Sequence, residues 1–308
     1  MSVDRLIEAI ERKKNPTVLG LDPQPEHIPP EILNKHIERP DSPSGKNALL
    51  EGLCGATEEY VLGLLDALCG VVPAVKPQCA FYEALGPGGA AVLQRVILAA
   101  KERGLYVIAD AKRGDIDSTA KAYSSAYLGR TEVMGELVPV YDADALTVNP
   151  YLGSDNLKAF MKDCKDYEKM VFVLCKTSNR SSVEVQELMA GDRPLYRVIA
   201  EQISRAGRGT AGQYGYQAAG IVAGATYPET IRQLREWHPE LFFLVPGYGS
   251  QGGKGADASA AFDKLGRGAV VNNSRGICCA WQKTGKPYKD AALKAALDMR
   301  GDLTKYIY

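Results

Sequence analysis

Eight short apolar runs, each closed by a polar or Gly/Pro-rich segment, constrain this chain more than any other feature. They are Thr17–Leu21, Val71–Lys76, Leu105–Asp110, Ala145–Asn149, Val171–Cys175, Gly220–Gly224, Phe242–Val245 and Ala269–Asn272. They show little of the in–out alternation of a half-exposed strand. Each is therefore expected to be buried on both faces, as parallel strands are when helices cover the sheet. Helix-like segments fall between them, among them Thr57–Cys69, Gly89–Arg103, Ala120–Val133 and Pro228–Trp237. Strands alternating with helices predict a parallel sheet, and eight units predict closure into an α/β (β/α)8 TIM barrel. An open doubly wound sheet is the competing arrangement. It normally carries a Gly-rich turn after its first strand, and Gly20-Leu21-Asp22-Pro23 is not one.

Barrels of this kind run to about 250 residues as one domain, so residues 1–308 are read as a single barrel domain with surface insertions. Two connections exceed ordinary loop length. Residues 25–51 contain Pro29-Pro30 and Asp41-Ser42-Pro43-Ser44-Gly45, and residues 180–216 contain an expected helix at Leu195–Arg205 and a Gly-rich stretch. Lys plus Arg (37) equals Asp plus Glu (37), which leaves no global field to draw nucleic acid or an anionic membrane. No apolar run approaches the roughly 18 residues of a membrane span. The amphipathic start, Met1-Ser2-Val3-Asp4-Arg5-Leu6, lacks a signal-type core. Seven cysteines form no CxxC pair, which suits buried thiols in a reducing cytoplasm better than a disulfide framework. Three histidines without an HExxH cluster give no lead toward a metal site or Ser-His-Asp chemistry.

Functional residues of such a barrel project from the C-terminal ends of its strands. Read only there, the chain gives Asp22 at the first end, Lys76 at the second, and Asp110 and Lys112 at the third. Asn149 closes the fourth, Lys176-Thr177-Ser178-Asn179 the fifth, Pro246-Gly247-Tyr248-Gly249-Ser250-Gln251-Gly252-Gly253 the seventh, and Asn273-Ser274-Arg275-Gly276 the eighth. The third end is the most charged, Asp110-Ala111-Lys112-Arg113-Gly114-Asp115-Ile116, and a two-residue side-chain repeat puts Asp110 and Lys112 on one side. The last two ends pair glycines, which let backbone amides approach an anion, with the planar fork of Arg275. Loops after strands seven and eight commonly hold phosphate.

Each residue also has a bland reading. Lys76 is a snorkelling lysine or a Schiff-base nucleophile, but the latter needs a neutral amine, and the alternating charges of Lys76, Lys112, Asp110 and Asp115 favour the ammonium form. Asp22, Asn149 and Ser178 taken singly suit loop capping.

Together these residues resemble the orotidine 5′-phosphate decarboxylase family. Asp110-x-Lys112-x-x-Asp115-Ile116 is similar to its signature, and Lys76 in Val75-Lys76-Pro77 and Asp22 in Gly20-Leu21-Asp22 match its earlier strand ends. Pro246-Gly247-x-Gly249-x-Gln251-Gly252-Gly253 and Asn273-Ser274-Arg275-Gly276 resemble its phosphate loops, and the length and Lys176–Asn179 look like its longer bacterial type. The resemblance implies decarboxylation of orotidine 5′-phosphate to UMP and CO2, the last step of de novo pyrimidine synthesis, with no metal or organic cofactor. It implies phosphate on Gln251, Arg275 and the Gly252–Gly253 amides beside Pro246, ribose on Asp22 and Lys76, and the pyrimidine on Ser178, with Asn149 also at the substrate. Asp110 is then next to the departing carboxylate and Lys112 protonates C6. Asp115, with Ile116 and Thr119, is implied to enter the neighbouring subunit's site, which makes a cytoplasmic homodimer the expected assembly. The rivals are a magnesium-dependent sugar-phosphate lyase sharing the DxKxxD strand and a non-catalytic phosphate-ligand sensor.

Overall fold

The computed structural model describes residues 1–37, 46–249 and 252–307. Eight parallel strands close into a barrel: β1 Thr17–Leu21, β2 Ala74–Pro77, β3 Tyr106–Arg113, β4 Ala145–Val148, β5 Met170–Lys176, β6 Ala219–Ala223, β7 Phe243–Val245 and β8 Ala269–Asn273. Each pairs with the next in sequence, and β8 returns to β1 through Thr17↔Val271 and Val18↔Asn272. All eight apolar runs are strands. The second starts later than its hydrophobicity suggests, at Ala74 just after Pro73, and the third runs on through its charged end to Arg113.

The two-residue repeat sorts each strand into two cores. Val18, Ala74, Ile108, Ala145, Phe172 and Val270 point inward, where Val3, Leu6, Ile7 and Ile10 of helix Ser2–Lys13 plug the bottom of the barrel. Their neighbours Leu19, Val75, Val107, Leu146, Val171 and Val271 pack outward beneath the helices. Both faces are apolar, which explains why the runs do not alternate. Burying one such side chain contributes about 1.5–3 kcal/mol, and the double core leaves only the upper ends of the strands free for polar groups.

One segment departs from its expected form. Ala120–Val133 reads as one helix, but the helix is Asp117–Tyr127, and Thr131–Val133 pairs antiparallel with Glu136–Val138. Met134 (φ 53°) and Gly135 (φ 88°) form its turn. Left-handed backbone at both central positions suits a tight hairpin, and β-branched Thr131 and Val133 favour strand. In the first insertion, a turn at Pro25–His27 and a helix at Pro30–His36 precede helix Lys46–Leu68, and residues 38–45 lie outside the described residues. In the second, short helical turns at Arg180–Ser182 and Val183–Gln186 lead through a small hairpin to helix Leu195–Ala206. Among the described residues, no helix is long and apolar enough to cross a membrane. All seven cysteines are free.

Candidate active site

Above the inner apolar layers the inward positions turn polar. Lys76 stands two residues beyond Ala74, Asp110 two beyond Ile108, and Thr147 two beyond Ala145, so the pleat delivers all three to the barrel mouth. They line a cavity of about 450 Å³ whose walls include Gln78, Lys112, Thr177, Ser178, Asn179, Gln186, Pro246 and Asn272, over apolar Leu174, Val222 and Leu244. A larger groove of about 630 Å³ runs along the outer helices past Lys158, Lys162 and Arg205, and it contains none of the strand-end residues.

Asp110 is the centre of the cavity's charge. Its Oδ2 accepts from Lys76 Nζ at 2.6 Å and Gln78 Nε2 at 3.0 Å, and its Oδ1 accepts from Lys112 Nζ at 2.7 Å and Thr147 Oγ1 at 2.9 Å. Asp110 and Lys76 are both buried. Burial alone raises a carboxyl pKa, but the two ammonium groups overcome it and hold Asp110 well below the usual carboxylate range. Burial likewise pulls Lys76 down, yet Asp110 and then Asp22 outweigh it and raise its pKa. Both groups are therefore charged at neutral pH, which makes the cluster a fixed array of charges with one side open to the cavity.

Lys112 reaches Asp110 by a route that simple alternation does not describe. Register between β3 and β4 jumps from Ala109↔Leu146 to Arg113↔Val148, so β3 carries extra residues across this stretch. Lys112 itself has φ 48°, left-handed backbone that costs a non-glycine residue about 1–2 kcal/mol. Its N–H donates to Thr147 Oγ1 at 2.9 Å, and the same hydroxyl donates to Asp110. Thr147 thus fixes both the carboxylate and the strained backbone that aims the lysine. Strain held in place at a polar cavity points to function.

The other predicted residues divide. Ser178 and Pro246 line the cavity. Asp22 lies outside the lining, half-buried, with Oδ1 enclosed and unpartnered among the described residues. Asn149 is exposed, and its Oδ1 accepts from Tyr151 N at 3.0 Å, the loop-capping arrangement. Asp115 does not join the cluster: its Oδ1 accepts from Ile116 N at 2.8 Å, and Ile116 and Thr119 are exposed. Gly252 and Gly253 sit in the loop after β7, but their amides donate within that loop, to Gly249 O at 3.0 Å and Gly247 O at 3.1 Å. Gln251 lies outside the described residues. Arg275 is exposed beyond β8 and makes no ion pair among the described residues. Sequence reasoning did not single out Gln78, Thr147, Gln186 or Asn272. Stepping two residues along from Lys76 and from the inward Ala145 and Val270 finds the first, second and fourth. Gln186 comes from the insertion and leaves no such trace. Among the described residues, no group of three His, Cys, Asp or Glu side chains is placed to hold a metal ion.

Residues 18–284 match the model of the orotidine 5′-phosphate decarboxylase / HUMPS family. The chain is 41% identical over 279 residues to the orotidine 5′-phosphate decarboxylase of Caldicellulosiruptor bescii, covering 91% of this chain and 90% of the relative. It is 33% identical over 310 residues to that of Clostridium perfringens, covering 100% and 99%. Among solved structures, the OMP decarboxylase of Leishmania donovani superposes with a TM-score of 0.72 at 32% identity, covering 99% of this chain and 98% of the other.

Proposed function

The chain belongs to the orotidine 5′-phosphate decarboxylase / HUMPS family, and on that premise we propose that it converts orotidine 5′-phosphate to UMP and CO2, the last step of UMP biosynthesis. The relatives sharing nearly the whole length carry that activity in their names. The observation that carries the mechanism is the Asp110 carboxylate gripped between two ammonium groups at the mouth of the barrel.

In this reading the C6–carboxylate bond breaks heterolytically, its electron pair stays on C6, and CO2 departs. Lys112 stands over C6, stabilises the developing carbanion and delivers its proton there. The ammonium is already oriented by Asp110, so little reorganisation is needed as charge moves, which is the condition under which such groups lower a barrier most. Asp110 next to the substrate carboxylate disfavours the ground state more than the transition state. Phosphate contacts with Gln251, Arg275 and the Gly252–Gly253 amides, after the loop's internal bonds exchange, supply binding energy that holds the substrate in that field. Asp22 and Lys76 take ribose hydroxyls, Ser178 takes the pyrimidine, and Asn149 and Pro246 complete the surround.

The whole chain acts as one barrel domain, cytoplasmic and homodimeric. Asp115, Ile116 and Thr119 complete the partner's cavity. Two features support this: none of the three lines its own chain's cavity, and apolar Ile116, Leu137, Tyr151 and Leu152 stand exposed on segments following β3 and β4. The functional test is the loss of orotidine 5′-phosphate absorbance after exhaustive chelation. Undiminished turnover is expected. Turnover that needs added magnesium would contradict the cofactor-free reading, and no turnover of this substrate would instead favour the magnesium-dependent sugar-phosphate lyases that share the DxKxxD strand.

A further inference from the structure

Lys176 ends β5 with a buried ammonium that the decarboxylation does not use. No part of it is exposed, and its Nζ donates to Glu187 Oε1 at 2.8 Å and Ser182 Oγ at 3.3 Å, 4.0 Å from the ring centroid of Tyr227. A buried ammonium is tolerated when it is paired and stacked in this way. The lysine therefore pins the 182–187 segment of the insertion to the barrel. The residues after it, Thr177, Ser178 and Asn179, line the cavity, and so does Gln186, the neighbour of Glu187. Gln186 Oε1 accepts from Thr177 N at 2.9 Å, and its Nε2 donates to Thr177 Oγ1 at 2.8 Å. From the other side Thr226 Oγ1 donates to Ser178 O at 3.3 Å, and a Cβ on Gly224 would lie 2.7 Å from Ser178 Cα. Ser178 is thus seated between the insertion and the end of β6.

We propose that Lys176 is a positioning residue for base recognition: tied to Glu187 and Tyr227, it fixes Thr177–Asn179 and Gln186 as the cavity wall that meets the pyrimidine ring. This rests on the functional reading above. The insertion at 180–216 is then part of the specificity apparatus, and the anion loops after β7 and β8 do not depend on it.

The test compares the affinity of UMP with that of ribose 5-phosphate, which lacks the base, for wild type, Lys176→Met and Glu187→Gln. Methionine keeps the apolar stem and removes the charge. Glu187 is exposed, so its substitution leaves the barrel folded even where the lysine variant does not. UMP affinity is expected to fall about tenfold in both variants, in line with loosened hydrogen bonds to the base, with ribose 5-phosphate affinity unchanged. Equal weakening of the two ligands, or weakening of neither, overturns the proposal. Wild type inert toward orotidine 5′-phosphate overturns the functional reading and this inference with it. Active wild type with unaltered variants overturns the inference alone.

Discussion

The end of β3 and the loop after β7 are both polar caps on buried strands, yet they are built in opposite ways. At β3 both oxygens of Asp110 already hold two donors each, and the backbone is strained into place around them. After β7 the glycines at 247, 249 and 252 all have positive φ, the Gly252 and Gly253 amides are spent on the loop's own carbonyls, and Arg275 stands in solvent. The first region is held by its own side chains, and in the proposed function the second exchanges its internal bonds for those to a phosphate. Charges needed at the reacting atoms gain from being fixed beforehand. An anion grip gains from closing on what it holds, because binding energy is then coupled to commitment. The contrast predicts that damage to the first region falls on turnover and damage to the second on affinity.

Short of removing the proton donor itself, the largest expected effect that sharpens this contrast is at Asp110. Asp110→Asn removes the anchor of both lysines, and kcat should fall at least about 10³-fold, beyond the loss of a single preorganised donor. The same change leaves Lys76 buried without its counter-charge and should lower unfolding free energy by about 3 kcal/mol, read by denaturant titration. Arg275→Ala should raise KM about 10²-fold with kcat changed far less, since charge-assisted phosphate contacts are lost. A fall in kcat alone for Arg275→Ala, with KM intact, would break the comparison.

Mixing Asp115→Ala with Lys112→Ala subunits tests which cavity Asp115 serves. Random exchange in a two-fold dimer should restore about one quarter of wild-type turnover through hybrids with one intact site. No recovery despite demonstrated hybrids would return Asp115 to its own chain. The smallest effect is expected at Thr147→Val, which deletes one hydroxyl shared by Asp110 and Lys112 N. Roughly a tenfold loss in kcat with unchanged KM corresponds to one net hydrogen bond of about 1 kcal/mol or slightly more.

Acidity probes the cluster from another direction. Asp110 titrates below its unfolded-state value of about 4. Its contribution to stability is therefore complete above that value and is lost as pH falls from it through the lowered one. The stability gap between wild type and Asp110→Asn should be level near neutrality and shrink below about pH 4. Lys76, whose pKa is raised, acts at the alkaline end: its contribution is lost as pH rises through that raised value.

Much of this was legible in the residues. Unalternated runs such as Val171–Cys175 announce strands buried on both sides, and counting eight of them gives the barrel. The strand ends then supply Lys76 and Asp110 because the pleat is regular up to them, and Ser178 is reached although β5 shifts register between Leu174 and Lys176. Where it is irregular the reading loses its reason. Lys112 joins Asp110, but through a bulge and a left-handed turn rather than a two-residue repeat. Ala120–Val133 looks continuous because helical composition runs into Thr131 and Val133, and only the hairpin pairing with Glu136–Val138 decides otherwise. The internal bonds of Gly252 and Gly253, and the separation of Asp115 from the Asp110 cluster, depend on tertiary closure that spacing along one chain does not carry.

The central claim is that an ammonium fixed beforehand by Asp110 does the chemistry. Its most direct test is the absorbance change of orotidine 5′-phosphate with Lys112→Ala, alongside the UMP affinity of the same variant. Turnover lost by many orders of magnitude with UMP binding retained is the predicted result. Decarboxylation by the variant at a rate comparable to wild type would contradict it and remove Lys112 as the proton donor.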